Sequence, residues 1–489
     1  MNPLTSNEAQ EQSRTLSGLP GAHIHFMGIG GVSMAALARW CRAEGFEVSG
    51  CDLVGGSVLD ELAGHGISTC TGHDASHVAG IDVLVHSMAV PHDHPELVAA
   101  RASGVLVLRR IALLGELFSR RRAIAVTGTH GKSTTTAMLA TILLDLEPGT
   151  SVQLGASLPI IGGSMRYGPG TWLAAEVDES DPGFADLIAD VAVVTNLDDD
   201  HVAGEYDERR NYHASFEDLQ AAARRYALAA KALVFCHDWP RLSEVVTGHA
   251  NARSYGMDEG ADYRITDLKL NPGGSAFTLS CPELEPFEVV MSVPGKHNAL
   301  NAAAAIAAVH SAGLDPRRAM PALAAFHGVG RRWQSYGELN GALIIDDYAH
   351  HPTEVAATLQ AARATGRRVR AVLQPHRWVR TARQWPALAA AAALADEVVV
   401  LAVYGAGERP IAGVSPELIA ERINTLGVNA AVFELGNVEE YLAATAVPGD
   451  LIITLGAGDV WRVAAGLGAR AAAGAGAGVG ASAGAGARG

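Results

Sequence analysis

Cysteine is scarce in this chain of 489 residues: Cys41, Cys51, Cys70, Cys236 and Cys281 are an odd number, widely scattered, with no C-x-x-C pair. That argues against a disulfide framework and makes a reducing compartment without structural zinc the expectation. Basic residues are in deficit as well, 37 Lys and Arg against 52 Asp and Glu, giving a formal net charge of −15. A general nucleic-acid binder is disfavoured, because neutralising a phosphate backbone takes a surplus of clustered cations. A small anionic ligand stays open, since backbone N–H groups and a few local cations can hold it inside an acidic protein. Long apolar runs are missing too. The richest stretch, around Leu388 to Val403, is interrupted by Asp396 and Glu397, and the first twenty residues carry Glu8, Glu11 and Arg14 with no apolar segment. Neither a membrane span nor a secretory signal is expected. The expectation is a cytoplasmic monomer or homodimer with no nucleic-acid or membrane partner.

What is present is the composition of a folded protein, 48% hydrophobic and 18% charged, over a length that calls for two to four domains. An apolar strand, a Gly-rich or polar turn and an Ala/Leu-rich helical stretch recur along the chain, the pattern of an α/β fold built on parallel sheets. Three blocks repeat it. The first contains strands His23 to Met27, Phe46 to Ser49 and Val83 to His86, with a helix from about Ser33 to Ala43. The second starts afresh with strand Ala123 to Val126 and a helix from Lys132, adds strands Trp172 to Ala175 and Val191 to Thr195, and continues from Ala250 to Val293 as a predicted antiparallel extension. An Ala-rich helix, Asn298 to His310, follows. The third block has strands Ala342 to Ile345, Val369 to Leu373, Glu397 to Leu401 and Leu451 to Thr454. Beyond Leu467 the sequence decays into Ala/Gly repeats, predicted to be a disordered tail.

Gly128-Thr129-His130-Gly131-Lys132-Ser133-Thr134-Thr135 carries the most chemistry. Glycines let the backbone aim N–H groups at phosphate oxygens, the following helix presents its positive end, Lys132 adds charge, and the Ser133 hydroxyl can hold Mg²⁺. The first glycine of a full Walker A motif would fall at Val126. The strand before the loop and the Thr-rich helix after it nevertheless supply the setting of a nucleoside-triphosphate site.

Two acidic turns follow predicted strands: Glu176-Val177-Asp178-Glu179-Ser180-Asp181, and Asp198-Asp199-Asp200-His201. Ligands of open parallel sheets lie beyond the carboxyl ends of the strands, so these turns and the Lys132 loop should face one crevice and imply a bound divalent ion. The run Asp178 to Asp181 reads equally well as solvated loop charge, with Asp181 capping a turn at Pro182. In the first block, Gly28-Ile29-Gly30-Gly31 after a strand, with Asp52 near the end of the next, resembles a dinucleotide fingerprint in which Ser33 replaces the last glycine. It indicates a pyrophosphate site, for NAD or for a UDP-sugar.

Taken together the motifs resemble the Mur ligase family, in order along the chain: H-I-H-F-M-G-I-G-G at 23 to 31, G-T-H-G-K-S-T-T-T at 128 to 136, E-V-D-E-S-D at 176 to 181, and V-T-N-L-D-D-D-H at 194 to 201. Then come P-G-K-H-N-A-L-N-A-A-A-A at 294 to 305, G-R-R-W at 330 to 333, D-D-Y-A-H-H-P-T-E at 346 to 354 and Q-P-H-R-W-V-R-T at 374 to 381. The first motif, the D-D-Y-A-H-H-P-T-E block and the aromatic after G-R-R are closest to the alanine-adding member. The resemblance implies three α/β domains: a Rossmann-like UDP-sugar domain at 21–119 after a flexible 1–20, a P-loop-type ATPase with a parallel sheet and antiparallel extension at 120–329, and a Rossmann-like C-terminal lid that binds the amino acid at 330–467. The tail would be 468–489. It also implies the activity: ATP phosphorylates the lactyl carboxylate of UDP-N-acetylmuramate, and the amine of L-alanine attacks the acyl phosphate.

Carried over residue by residue, the resemblance implies an ATP site of Gly128, Thr129, His130, Gly131, Lys132, Ser133 and Thr134, with Asn298 and Asn301 toward adenine and Arg332 and Asp347 from the third domain. Mg²⁺, or Mn²⁺, would be held by Ser133, Glu176 and His201. Gly28, Ile29, Gly30, Gly31, Asp52, His86 and Ser87 would take the UDP-sugar; Tyr348, His350, His376, Arg377 and Arg380 would shape the amino-acid pocket. Lys132, His201, His350, His376 and Arg380 form the candidate catalytic set, with His350 or His376 accepting the ammonium proton. His351, before Pro352, reads as the start of a helix, and a zinc cluster of His350, His351 and His376 lacks ligand spacing. Four rivals stand beside this reading: a family member attaching a whole murein tripeptide, a folylpolyglutamate synthetase, more remote because it lacks the first UDP-sugar domain, an NAD-dependent oxidoreductase using Gly28 to Asp52, and a nucleotide-binding protein without catalysis.

Overall fold

The computed structural model describes residues 16, 19–87, 90–203, 213–271 and 273–481, with side chains through 473. Three sheets carry the chain, in the α/β class expected. Five strands, β1 (His23–Met27), β2 (Glu47–Asp52), β3 (Ser68–Thr71), β4 (Val83–His86) and β5 (Leu106–Arg109), pair in parallel in the order β3-β2-β1-β4-β5. Strand alternation sends Ile24 and Phe26 to one face and His23, His25 and Met27 to the other. Helix α1 (Val32–Ala43) starts directly after the glycine turn, and α2 (Pro95–Ala102), started by Pro95 and the His94 ring on the Glu96 N–H, covers the His25 side with Leu97 and Ala100.

The second sheet holds β6 (Arg122–Thr127), β7 (Ser151–Leu158), β8 (Gly163–Arg166), β9 (Trp172–Glu176), β10 (Val191–Val194), β11 (Ala232–Cys236), β12 (Ala252–Gly256), β13 (Tyr263–Asn271), β14 (Gly274–Cys281) and β15 (Leu284–Met291). Its order is β15-β14-β13-β12-β11-β10-β6-β9-β7-β8. The extension expected to be antiparallel from Ala250 begins parallel, β12 along β11 and β13 along β12. Strand direction is set by the route of the connection, which local composition does not encode. Helix α3 (Lys132–Leu146) is buried all round from Ser133 to Leu143, and β6, β9 and β10 deliver their carboxyl ends beside its N-terminus. Helix α4 (Lys296–Ser311) is the Ala-rich helix read from the sequence.

The third sheet comprises β16 (Gln334–Leu339), β17 (Ala342–Asp347), β18 (Arg368–Leu373), β19 (Glu397–Val400), β20 (Asn429–Val432) and β21 (Asp450–Leu455), in the order β16-β17-β21-β18-β19-β20. Only the edge strand β16 is antiparallel to its neighbour; the other pairs are parallel. Period-two alternation divides its core: Ile345, Val398, Leu451 and Ile453 pack with α5 (Pro352–Ala364) and α6 (Trp378–Ala392), while Ile344, Val399 and Ile452 meet α7 (Trp461–Ala481).

Helix α7 corrects one expectation. The tail predicted to be disordered from 468 is helical to Ala481, because alanine is the strongest helix former and the helix is already nucleated on the sheet by Val463, Ala464 and Leu467. Residues 482–489 and all but Leu16 and residues 19–20 of the predicted flexible N-terminus lie outside the described residues. Among the described residues no helix is long and apolar enough to cross a membrane. By its contacts the chain divides into two compact units, one of residues up to 265 with 279–287 and 300–323, the other of 266–278, 288–299 and 324 onward.

Candidate active site

In the first unit the turn between β6 and α3 bends through two glycines with positive φ, Gly128 at 128° and Gly131 at 81°. A Cβ on Gly128 would fall 2.3 Å from the Thr195 hydroxyl, so only glycine fits. The segment after β10 grips this loop: Asn196 Oδ1 accepts from the His130 N–H at 2.7 Å, Asn196 Nδ2 and Thr195 Oγ1 donate to the His130 carbonyl, and the Asp198 N–H donates to Thr129 Oγ1. The His130 ring lies 2.9 Å from Asp198 Oδ2. The loop is therefore braced by its neighbour before any ligand arrives.

Lys132 Nζ donates to the Gly128 carbonyl at 2.7 Å and pairs with Glu179 Oε2 at 2.7 Å. Glu179 is fully buried. His201, at a left-handed φ of 55°, sets Nε2 3.8 Å from Glu179 Oε1 and 3.6 Å from Asp200 Oδ2. Glu176 Oε2 accepts from the Gly155 N–H at 2.8 Å. Burial pulls Lys132 toward neutrality, but Glu179, Asp178 and Glu176 outweigh it and raise its pKa. One cation shared three ways leaves Glu179 undercompensated: burial, with Asp178 adding repulsion, pushes it up to about 7 against Lys132. Burial opposes ionisation of Asp178 too, yet Lys132, His201 and Arg110 hold it down at about 2. Sequence reasoning gave Glu176 and His201 roles and left Glu179 among possible loop charges. Its place within the same acidic turn was the available signal.

Asn301 projects from α4 over the loop, its Oδ1 accepting from Thr135 Oγ1 at 3.2 Å and sitting 2.6 Å from where a Gly131 Cβ would be. Asn298 Nδ2 donates to the Pro294 carbonyl. Ser133 and Thr134 are buried in the first turn of α3. The hydroxyl of Ser133, the carboxylates facing Lys132 and the His201 imidazole are donors of the chemical kind that a hard divalent cation takes. In the glycine turn after β1, Gly28 and Ile29 donate to the Cys51 carbonyl and Gly30 donates to Asp52 Oδ2 at 2.9 Å. His86 is buried at the end of β4 with Nδ1 3.0 Å from the Ser87 carbonyl. Arg109, closing β5, pairs with Asp181, and Arg110 lies 3.8 Å from its other oxygen. The same Asp181 caps the turn at Pro182, as its position predicted.

The second unit gathers the remaining candidates. The His350 and His376 rings meet edge to face at 5.4 Å, Tyr348 meets His350 at 5.4 Å, and Tyr404 stacks on His376 at 5.7 Å. Arg380 NH1 lies 3.1 Å from His376 Nδ1, and Arg377 pairs with Glu408. Arg332 lies over the Tyr348 ring and 3.6 Å from Glu354. Asp347 is a turn organiser, its carboxylate accepting from the Trp333 and Ala349 N–H groups, and burial pushes it up to about 6. His351 caps α5 in a capping box with Glu354. Tyr404 and Glu408, in the loop after β19, escaped the sequence reading because nothing local marks them.

Family models match nearly end to end: "Mur ligase family, catalytic domain" over residues 23–122, "Mur ligase middle domain" over 126–309, and "Mur ligase, glutamate ligase domain" over 331–458. The chain belongs to the Mur ligase family. Its relatives include the UDP-N-acetylmuramate–L-alanine ligase of Deinococcus radiodurans, 45% identical over 94% of this chain and 95% of that protein. That of Acidothermus cellulolyticus is 42% identical over 89% and 91%. Among solved structures, the UDP-N-acetylmuramate-alanine ligase of Thermotoga maritima superposes with a TM-score of 0.77 at 28% identity, covering 93% of this chain and all of that one.

Proposed function

We propose that this Mur ligase joins L-alanine to the lactyl carboxylate of UDP-N-acetylmuramate, with ATP supplying the leaving group through an acyl phosphate. The observation that carries this is Lys132, held at the head of a helix by a braced glycine loop and facing a cluster of carboxylates, in a chain matched along its length by alanine ligases. Gly128 to Thr134 take the triphosphate, and Lys132 exchanges Glu179 for phosphate oxygens. Ser133, Glu176 and His201 would hold Mg²⁺, or Mn²⁺ in its place, which supplies positive charge where phosphate and carboxylate meet. Asn298 and Asn301, on one helix, serve the adenine side. The turn Gly28 to Gly31, with Asp52, His86 and Ser87, receives the UDP-sugar. Arg377 and Arg380 bind the alanine carboxylate, Tyr348 shapes its pocket, and His350 or His376 takes the proton that the ammonium must lose before attack.

Phosphate release is the test. It should require UDP-N-acetylmuramate and L-alanine together. Release independent of either would sink the ligase reading, and release supported by murein tripeptide in place of alanine would move the substrate to the peptide.

A further inference from the structure

Away from the triphosphate loop, the first sheet buries a second group of chemically active side chains. His25 on β1, Cys51 on β2, His77 in the turn before β4 and Glu96 in α2 bring one donor atom each to within 4.8 Å of one another. Cys51 Sγ lies 3.4 Å from His25 Nε2 and 3.4 Å from Glu96 Oε1, and His77 Nδ1 lies 2.6 Å from the same carboxylate oxygen. In a tetrahedral zinc site with bonds of roughly 2.0 to 2.3 Å, neighbouring donors stand about 3.3 to 3.8 Å apart. Of the six edges among four donors, Cys51–His25 and Cys51–Glu96 have that length. The His77–Glu96 edge is a hydrogen bond that must open by less than about 1 Å to reach it, and the others lie within 4.8 Å.

The surroundings also suit a metal. Each ligating imidazole has a partner on its other nitrogen, Ser49 Oγ at 2.8 Å from His25 Nδ1 and Cys70 Sγ at 3.5 Å from His77 Nε2, which fixes ring orientation as outer-shell groups do. Glu96 is completely buried, its Oε1 also accepting from the Asp74 N–H and its Oε2 3.1 Å from His73 Nδ1. A divalent ion bound by a thiolate and a carboxylate gives a neutral site, and, against its burial, the Glu96 carboxylate is already held toward its ionised form by the Asp74 N–H, His77 and Cys51. A cleft of about 430 Å³ lined by His23, Ser49, Arg42 and Glu47 reaches the hydroxyl that holds His25.

We infer that His25, Cys51, His77 and Glu96 form a binding site for a thiophilic divalent ion of the zinc class, a structural site distinct from the ligase chemistry and independent of that reading. Binding replaces the Cys51 S–H bond with a metal–sulfur bond and releases its proton to solvent, while His25, His77 and Glu96 contribute lone pairs. Imidazole and thiolate donors select zinc, cobalt or copper over Mg²⁺. The site also ties down the strand end whose Cys51 carbonyl supports the glycine turn at Gly28 and Ile29.

The experiment is a Co²⁺ titration of the metal-free, untagged full chain with Mg²⁺ in excess, followed by displacement with Zn²⁺. One equivalent should produce thiolate-to-cobalt charge-transfer absorption and visible bands of tetrahedral intensity, bleached by zinc. Cys51→Ser should abolish the charge-transfer band. His77→Gln, at a half-buried position, should weaken binding by more than the roughly 10–100-fold that loss of an outer-shell partner costs. Circular dichroism of the metal-free variants should match the parent. The inference is overturned by the absence of a charge-transfer band in the unmutated chain or by a band that survives Cys51→Ser. A weak octahedral spectrum that depends on His94 overturns it too, placing the ion instead on the neighbouring group of His73, His94 and Glu96.

Discussion

Glu176, Asp178 and Glu179 share the single ammonium of Lys132, and the arrangement has a measurable pH signature. Glu179 stands at about 7 in the folded protein against an ordinary 4.5. Between those values the folded chain keeps a proton that the unfolded chain has released, so stability should fall as pH rises through that window. Glu179→Gln removes the titrating group. Urea midpoints without nucleotide should drop more for the parent than for the variant between about pH 5 and pH 7.5, and parallel curves would contradict the burial argument. Lys132→Ala should lower turnover by at least about 10²–10³-fold, the scale of losing one preorganised electrostatic contact. At this scale the sequence spoke clearly where a residue acts on its own neighbours, as His351 and Asp181 do in capping. It was silent on Glu179, whose partner is 47 positions away along the chain.

Elements were legible wherever burial imposes a period. The strand Val83–His86 has the limits read from its apolar run, and β17, β18 and β21 differ from expectation only by a residue or two at their ends. Direction was not legible, as β12 shows, because pairing partners are chosen by the whole sheet; the edge strand β16 went unread altogether. The His25, Cys51, His77 and Glu96 group was equally hidden, since its members come from four separate elements and no short ligand spacing joins them. The phosphate loop is where local and long-range constraints coincide. Gly131→Ala forces a side chain into a left-handed conformation, costing about 1–2 kcal/mol from the backbone alone, and drives the new Cβ against Asn301. A lowered melting temperature together with a raised KM for ATP is expected; an unchanged KM would detach Asn301 from the loop's function.

For the whole molecule, the charge of −15 and two proposed substrates, ATP and UDP-N-acetylmuramate, that are themselves anionic mean that recognition depends on local N–H groups and a few cations. Because the UDP-sugar and the triphosphate are proposed to sit at different glycine turns, their effects on stability should separate. UDP-N-acetylmuramate at a hundredfold excess over its Kd should add about 2.7 kcal/mol of stability in the parent and in Lys132→Ala alike. ATP should stabilise the parent far more than the variant. Thermal melts with each ligand test this, and loss of the sugar-nucleotide effect in the variant would merge the two sites. The clasp of Arg109 and Arg110 on Asp181 has the opposite consequence. It rivets the last strand of the first sheet to a turn only two residues beyond the counter-ion of Lys132. An exchange at position 109, which touches neither proposed ligand, would therefore disturb phosphate chemistry by way of the scaffold.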